Sequence, residues 1–166
     1  MTNSEIRFVG QVPDRLHPVL EAAIERFRLG YMSLRGPAHS LHGPEHWLRV
    51  ICHATSLAEQ TTGADLHVCQ LFSLLHDCER WNDGIDPDHG ARAAAHITAL
   101  RDTILADLSE EQCAKLCEAC RYHASGLVSA DPTIGVCWDA DRLDLPRVGA
   151  RVDPRFLSTV AAKRMV

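Results

Sequence analysis

Two adjacent polar residues, His76 and Asp77, close the apolar run Leu71, Phe72, Leu74 and Leu75. The spacing predicts a buried helix, and polar groups at the end of a buried helix need partners. Neutral imidazole and carboxylate are both ligands for first-row divalent metals, and side by side they can hold one ion or bridge two. The pair also has a plainer reading, with His76 bonding the last helix carbonyls and Asp77 facing water. The chain holds ten histidines in 166 residues, so position has to decide between the two readings.

His46 stands in the first turn of the preceding predicted helix, within His42-Gly43-Pro44-Glu45-His46-Trp47-Leu48-Arg49-Val50. Far downstream comes Trp138-Asp139-Ala140-Asp141-Arg142-Leu143-Asp144. A His on one helix, a His-Asp doublet on the next and a distant Asp together resemble the HD-domain superfamily of metal-dependent phosphohydrolases. His46 with Arg49-Val50 is similar to that family's first His, Leu74-Leu75-His76-Asp77 to its doublet, and Ala140-Asp141-Arg142-Leu143 to its last ligand. The resemblance covers residues 40–147 and implies that His46, His76, Asp77 and Asp141 ligate a metal. His89 and His123 resemble the additional ligands of members that hold two ions, in which case Asp77 bridges them. The alternative has both histidines lining the cleft against substrate or water. His42 reads as a surface residue or as a partner standing behind the ligands. His53, His67 and His96 match nothing in the pattern and are assigned to packing or surface.

The resemblance implies hydrolysis of a phosphate ester of a small molecule through metal-activated water, with Asp77 as the catalytic carboxylate. The cofactor it implies is one or two divalent ions of Mn, Fe, Co, Zn or Ni, with Mg also able to serve. Such an ion acidifies water and neutralises a phosphoryl oxygen. The other phosphate oxygens need cations or N–H donors, and Arg80, Arg92, Arg142 and Arg147 lie within or near the motif segments. Arg80 and Asn82, in the loop of residues 80–90, are expected to turn inward and bind substrate together with Arg142. Arginine outnumbers lysine fifteen to two, which makes an Arg near a motif less informative here. Several nucleotide-acting members carry a Glu three residues after the doublet. Here that position is Arg80, and Glu79 precedes it, a rotation of about 100° on a helix, so nucleotide specificity does not carry over. Two other readings use the same residues. One is an HD-fold di-iron oxygenase, separated from a hydrolase by the identity of its metal. The other is a non-catalytic metal-binding sensor or scaffold, against which the complete ligand set argues.

Seven segments must position these residues. Apolar side chains recur at helical spacing, as in Leu16, Val19, Leu20, Ala23, Ile24 and Phe27, and no segment alternates. Pro44, Pro87, Pro132 and Pro154 suit first helical positions, three of them behind an Asp that can cap, and Ser109 with Gln112 forms a capping-box pattern. Helices are predicted over 13–29, 44–60, 65–79, 87–106, 109–124, 132–143 and 154–164. The fold class is therefore all-α, a compact single-domain helical bundle of about seven helices over 1–166, with residues 1–10 as an irregular arm. Apolar and charged fractions of 46% and 23% are ordinary for a globular protein. A net charge of -5 disfavours nucleic acid as a partner. No run suits a signal peptide or a membrane span, so the expected location is the cytoplasm and the expected partner a small phosphorylated substrate. The oligomeric state stays open. Seven cysteines without an export signal predict reduced thiols, and Cys113, Cys117 and Cys120 share one helical face that suits core packing.

Overall fold

Residue 66 begins a helix that is apolar on nearly every side, because Val68, Cys69, Leu71, Phe72, Leu74 and Leu75 leave only His67, Gln70 and Ser73 as polar members. A helix apolar all round must be enclosed by others, and every residue from Val68 to Leu75 is buried. In the computed structural model, which describes residues 12–32 and 36–166, this central element is α3 (Leu66–Leu75). Around it stand α1 (His17–Gly30), α2 (Pro44–Gln60), α5 (Glu110–Tyr122) and α6 (Pro132–Leu143). The outer α4 (His89–Leu100) packs along α5, and the short α7 (Val160–Lys163) closes against α6 and α2. The described residues thus form an all-helical bundle with seven α-helices and no strand. Their buried apolar side chains make one cluster around Phe27, Trp47, Phe72 and Trp138. The expected N-terminal arm lies outside the described residues.

The helix starts follow the capping chemistry. Pro44 and Pro132 open α2 and α6, the Asp131 carboxylate accepts from the Thr133 and Ile134 N–H groups, and Ser109 and Gln112 complete their reciprocal box. Asp86-Pro87 behaves differently: α4 begins at His89, and the Asp86 carboxylate instead accepts from Trp81 N–H and pairs with Arg92 at 2.7 Å. Three predicted ends also move. The helix expected to reach residue 79 ends at Leu75, where bonding tightens to Cys78 N–H on Leu75 O and Arg80 N–H on Asp77 O. The helix expected to reach 106 ends at Leu100 and continues as successive turns. Residues 154–164 form a 3-10 turn, Pro154–Phe156, and then α7, because Asp139 claims the Ser158 and Thr159 N–H groups that an unbroken helix would use. Among the described residues no helix is long and apolar enough to cross a membrane.

Candidate metal centre

His46 lies in the first turn of α2, His76 and Asp77 at the tightened end of α3, His89 at the start of α4, His123 just beyond α5, and Asp141 near the end of α6. One glycine makes part of this convergence possible. A Cβ on Gly90 would sit 2.5 Å from Cys120 O and 2.9 Å from Arg121 O. The absence of a side chain therefore lets the start of α4 press against the end of α5 and sets His89 beside His123.

The six side chains meet in two groups that share Asp77, one with His46 and His76 and one with His89 and His123, and a third group, His76, His123 and Asp141, spans both. In the first, His46 Nε2 is 3.1 Å from His76 Nε2 and 3.2 Å from Asp141 Oδ1. Asp77 Oδ2 lies 3.6 Å from His76 Nε2 and 3.8 Å from His46 Nε2. In the second, His89 Nε2 is 2.9 Å from His123 Nε2, and Asp77 Oδ1 lies 3.3 Å and 3.4 Å from those two nitrogens. Asp77 thus offers one oxygen to each group.

The far side of each imidazole decides what the near side carries. His46 Nδ1 stands 2.7 Å from Asp144 Oδ2, His76 Nδ1 3.2 Å from Phe72 O, and His123 Nδ1 2.7 Å from Cys120 O, while His89 Nδ1 meets Asp86 O. All four of these partners only accept, and at His89 the closer Asp86 carbonyl outweighs Arg80 Nη1 at 3.2 Å, so each Nδ1 donates a proton and each Nε2 is left with a lone pair directed at the centre. Two pairs of lone-pair nitrogens then face one another at hydrogen-bond distance, and Asp77 Oδ1 is buried without a hydrogen-bond donor. Acceptors packed against acceptors repel unless a cation stands between them. The donor set, two carboxylates and four imidazole nitrogens, fits first-row divalent metals.

Electrostatics keep the carboxylates ionised and divide the imidazoles. Burial pushes the Asp77 carboxyl upward, but His76, His123 and His42 outweigh it and hold its pKa well below the carboxylate range. Asp141 is lowered in the same way, with His46 and His76 overcoming burial. Burial without a sufficient partner drives His76 down to about 3, so this imidazole is neutral. His46 and His123 go upward because neighbouring carboxylates, Asp141 and Asp144 for His46 and Asp77 for His123, exceed the cost of their burial.

The groups open into a cleft of about 270 Å³ whose walls include His42, Arg80, Arg142 and Arg147. Of the residues expected to bind substrate, Arg80 and Arg142 reach this cleft. Asn82 does not: its Oδ1 accepts from Gly84 N–H, folding the side chain into its own loop. Arg92 is occupied by Asp86 and by the Glu79 carbonyl, and lies over the Trp81 ring. His42, read from sequence as most simply a surface residue, belongs to the site, with Nδ1 2.9 Å from Asp77 Oδ2. Its position one turn before His46 was the available signal. Asp144, one turn after Asp141, carries the anchor for His46, and that spacing could have marked it. Glu79 is buried and turned away, bonded to Arg26 by both oxygens.

No family model matches the chain, and no curated protein matches it. A solved structure does: the chain is similar to a predicted HD superfamily hydrolase from an uncultured Thermotogales bacterium, at 25% identity over 99% of this chain and 88% of that one, with a TM-score of 0.63.

Proposed function

We propose that this chain, which has the fold of the HD superfamily and its His, His-Asp and Asp pattern in place, is a metal-dependent phosphohydrolase acting on a small phosphate ester. The observation that carries the reading is the four imidazoles whose Nδ1 protons are all tied outward and whose Nε2 lone pairs converge on Asp77 and Asp141. His46, His76, Asp77 and Asp141 would hold one divalent ion, and Asp77, His89 and His123 a second. When bound, such ions supply Lewis acidity that brings the pKa of water toward neutrality and neutralises developing phosphoryl charge.

The protein's own residues do the rest. Asp77 stays ionised through the neutral range and offers one oxygen to each group. His42 sets the carboxylate plane by holding a proton on Nδ1 against Asp77 Oδ2. Arg80 and Arg142 give the cleft positive walls that attract a phosphorylated substrate. The site lies among buried side chains, with His46, His76 and Asp77 each no more than 2% exposed, which strengthens every charge interaction in it.

The test is metal quantification per chain on anaerobically purified protein, alongside phosphate release from a panel of small phosphate esters. The expected result is two ions per chain, falling in His89→Ala and His123→Ala, with phosphate release that depends on added Mn, Co, Zn or Mg. Iron-dependent oxygen consumption without phosphate release would overturn the hydrolytic reading in favour of the oxygenase. A fully loaded protein inert on the whole panel and toward oxygen would point to the sensor or scaffold.

A further inference from the structure

Two arginines in the cleft wall are buried and form no ion pair, Arg142 feeling the carboxylates of Asp139 and Asp141 only at longer range. Arg80 is 9% exposed and Arg142 7%. Arg80 reaches only the His89 ring and Gly84 O, and its Nε has no hydrogen-bond partner. Arg142 donates to Phe156 O, and its Nη2 has no partner. No carboxylate lies within ion-pair distance of either guanidinium among the described residues. Other arginines of the molecule are compensated: Arg26 by Glu79, Arg49 and Arg147 by Asp144, Arg92 by Asp86. Burying a charge that forms no ion pair is costly, so two such groups on one cleft are suited to receive an anion.

The two are anchored at different places. Arg80 touches His89, in the group of Asp77 and His123, whereas Arg142 follows Asp141, in the group of His76 and His123. The charge balance then exceeds a single phosphate. Two divalent ions and the two guanidiniums bring six positive charges, and the carboxylates of Asp77, Asp141 and Asp139, the last acting on Arg142, bring three negative ones, which leaves an excess of three. A phosphate monoester brings two negative charges at most.

Resting on the phosphohydrolase reading, we propose that the substrate is a compact ester with two anionic groups: the phosphate that is cleaved, and a second phosphate or a carboxylate bound by Arg80 or Arg142. The cleft of about 270 Å³ suits a small molecule of this kind. Of Arg80 and Arg142, the one that holds the second group acts as a specificity residue, and the other neutralises the reacting phosphate.

The experiment is calorimetric binding to the full chain loaded with manganese, using orthophosphate, methylenebisphosphonate and phosphonoacetate as probes, so that turnover is not needed. The expected result is that at least one two-anion probe binds about 10- to 100-fold more tightly than orthophosphate. Preference for methylenebisphosphonate marks the second group as a phosphate, and preference for phosphonoacetate marks it as a carboxylate. In Arg80→Gln and Arg142→Gln the preference falls about tenfold or more in at least one variant; Arg80→Lys and Arg142→Lys keep the charge and recover part of it. Manganese content and thermal unfolding are measured in every variant, and a merely structural role would move unfolding while leaving the ratio of affinities untouched. Equal affinity for all three probes, or a preference that both glutamine variants retain as simple chelation would, overturns the proposal while leaving the phosphohydrolase reading intact. Absence of any orthophosphate binding, together with no phosphate release, overturns both.

Discussion

Asp139 and Asp141 stand two residues apart on α6 and have opposite surroundings. Asp139 is fully buried, and its two oxygens accept from Ser158 N–H and Thr159 N–H at 2.7 Å each. Those donors bind the segment leading into α7 to the helix. Asp141 meets no backbone donor; its neighbours are the Nε2 atoms of His46 and His76 at 3.2 Å and 3.7 Å. The first carboxylate is saturated by its own chain and can do nothing further. The second faces lone pairs and is completed only by a cation. The same contrast separates Glu79, closed by Arg26, from its neighbour Arg80, which has no carboxylate. In this molecule a buried polar group with its partners supplied reads as architecture, and one left incomplete reads as function.

Substitutions can break this contrast directly. Asp77→Ala is expected to abolish both metal retention and activity while the chain stays folded, whereas Asp139→Ala costs about 3 kcal/mol of stability through two stranded N–H groups and leaves metal content per folded molecule unchanged. Metal analysis paired with denaturant unfolding separates the two, and retained activity in Asp77→Ala would refute the assignment. Gly90→Ala sharpens the comparison within the site. The added methyl forces α4 from α5 at a cost of about 1–3 kcal/mol, and the expected readout is loss of one ion per chain with the first group still loaded. The smallest effect belongs to Asp131, a closed carboxylate capping the end of α6 opposite to Asp141. Burial raises its pKa, but the Ile134 N–H and Lys115 outweigh this and leave it lowered. Its contribution is therefore present above the unfolded value of about 3.9 and lost as pH falls through the lower folded value. Asp131→Ala should cost about 1 kcal/mol near neutral pH, the difference from wild type should narrow in acid, and metal content should not move.

The elements were legible wherever the cause is local. Pro44, Asp131-Pro132 and the Ser109 box set helix starts that need no knowledge of the rest of the chain. The segments bearing His46, His76-Asp77 and Asp141 could be matched to a known pattern, and the fold brings all six candidate ligands together. What escaped depends on contacts between distant residues. His42 meets Asp77 across 35 positions, and Arg26 meets Glu79 across 53. Gly90 reads in sequence as an ordinary helix residue; only the approach of α5 shows why a side chain cannot stand there. Asn82 went the other way, since a loop that could have aimed it inward turns tightly enough for the side chain to bond its own backbone.

Three of the four atoms that hold the imidazoles in orientation, Phe72 O, Asp86 O and Cys120 O, belong to the main chain. A carbonyl is present whatever residue bears it, so mutation at those positions leaves the anchor standing. Much of the surrounding sequence can drift over generations without dismantling the scaffold that aims these rings. Asp144 is the exception, the single anchor that one codon change can erase.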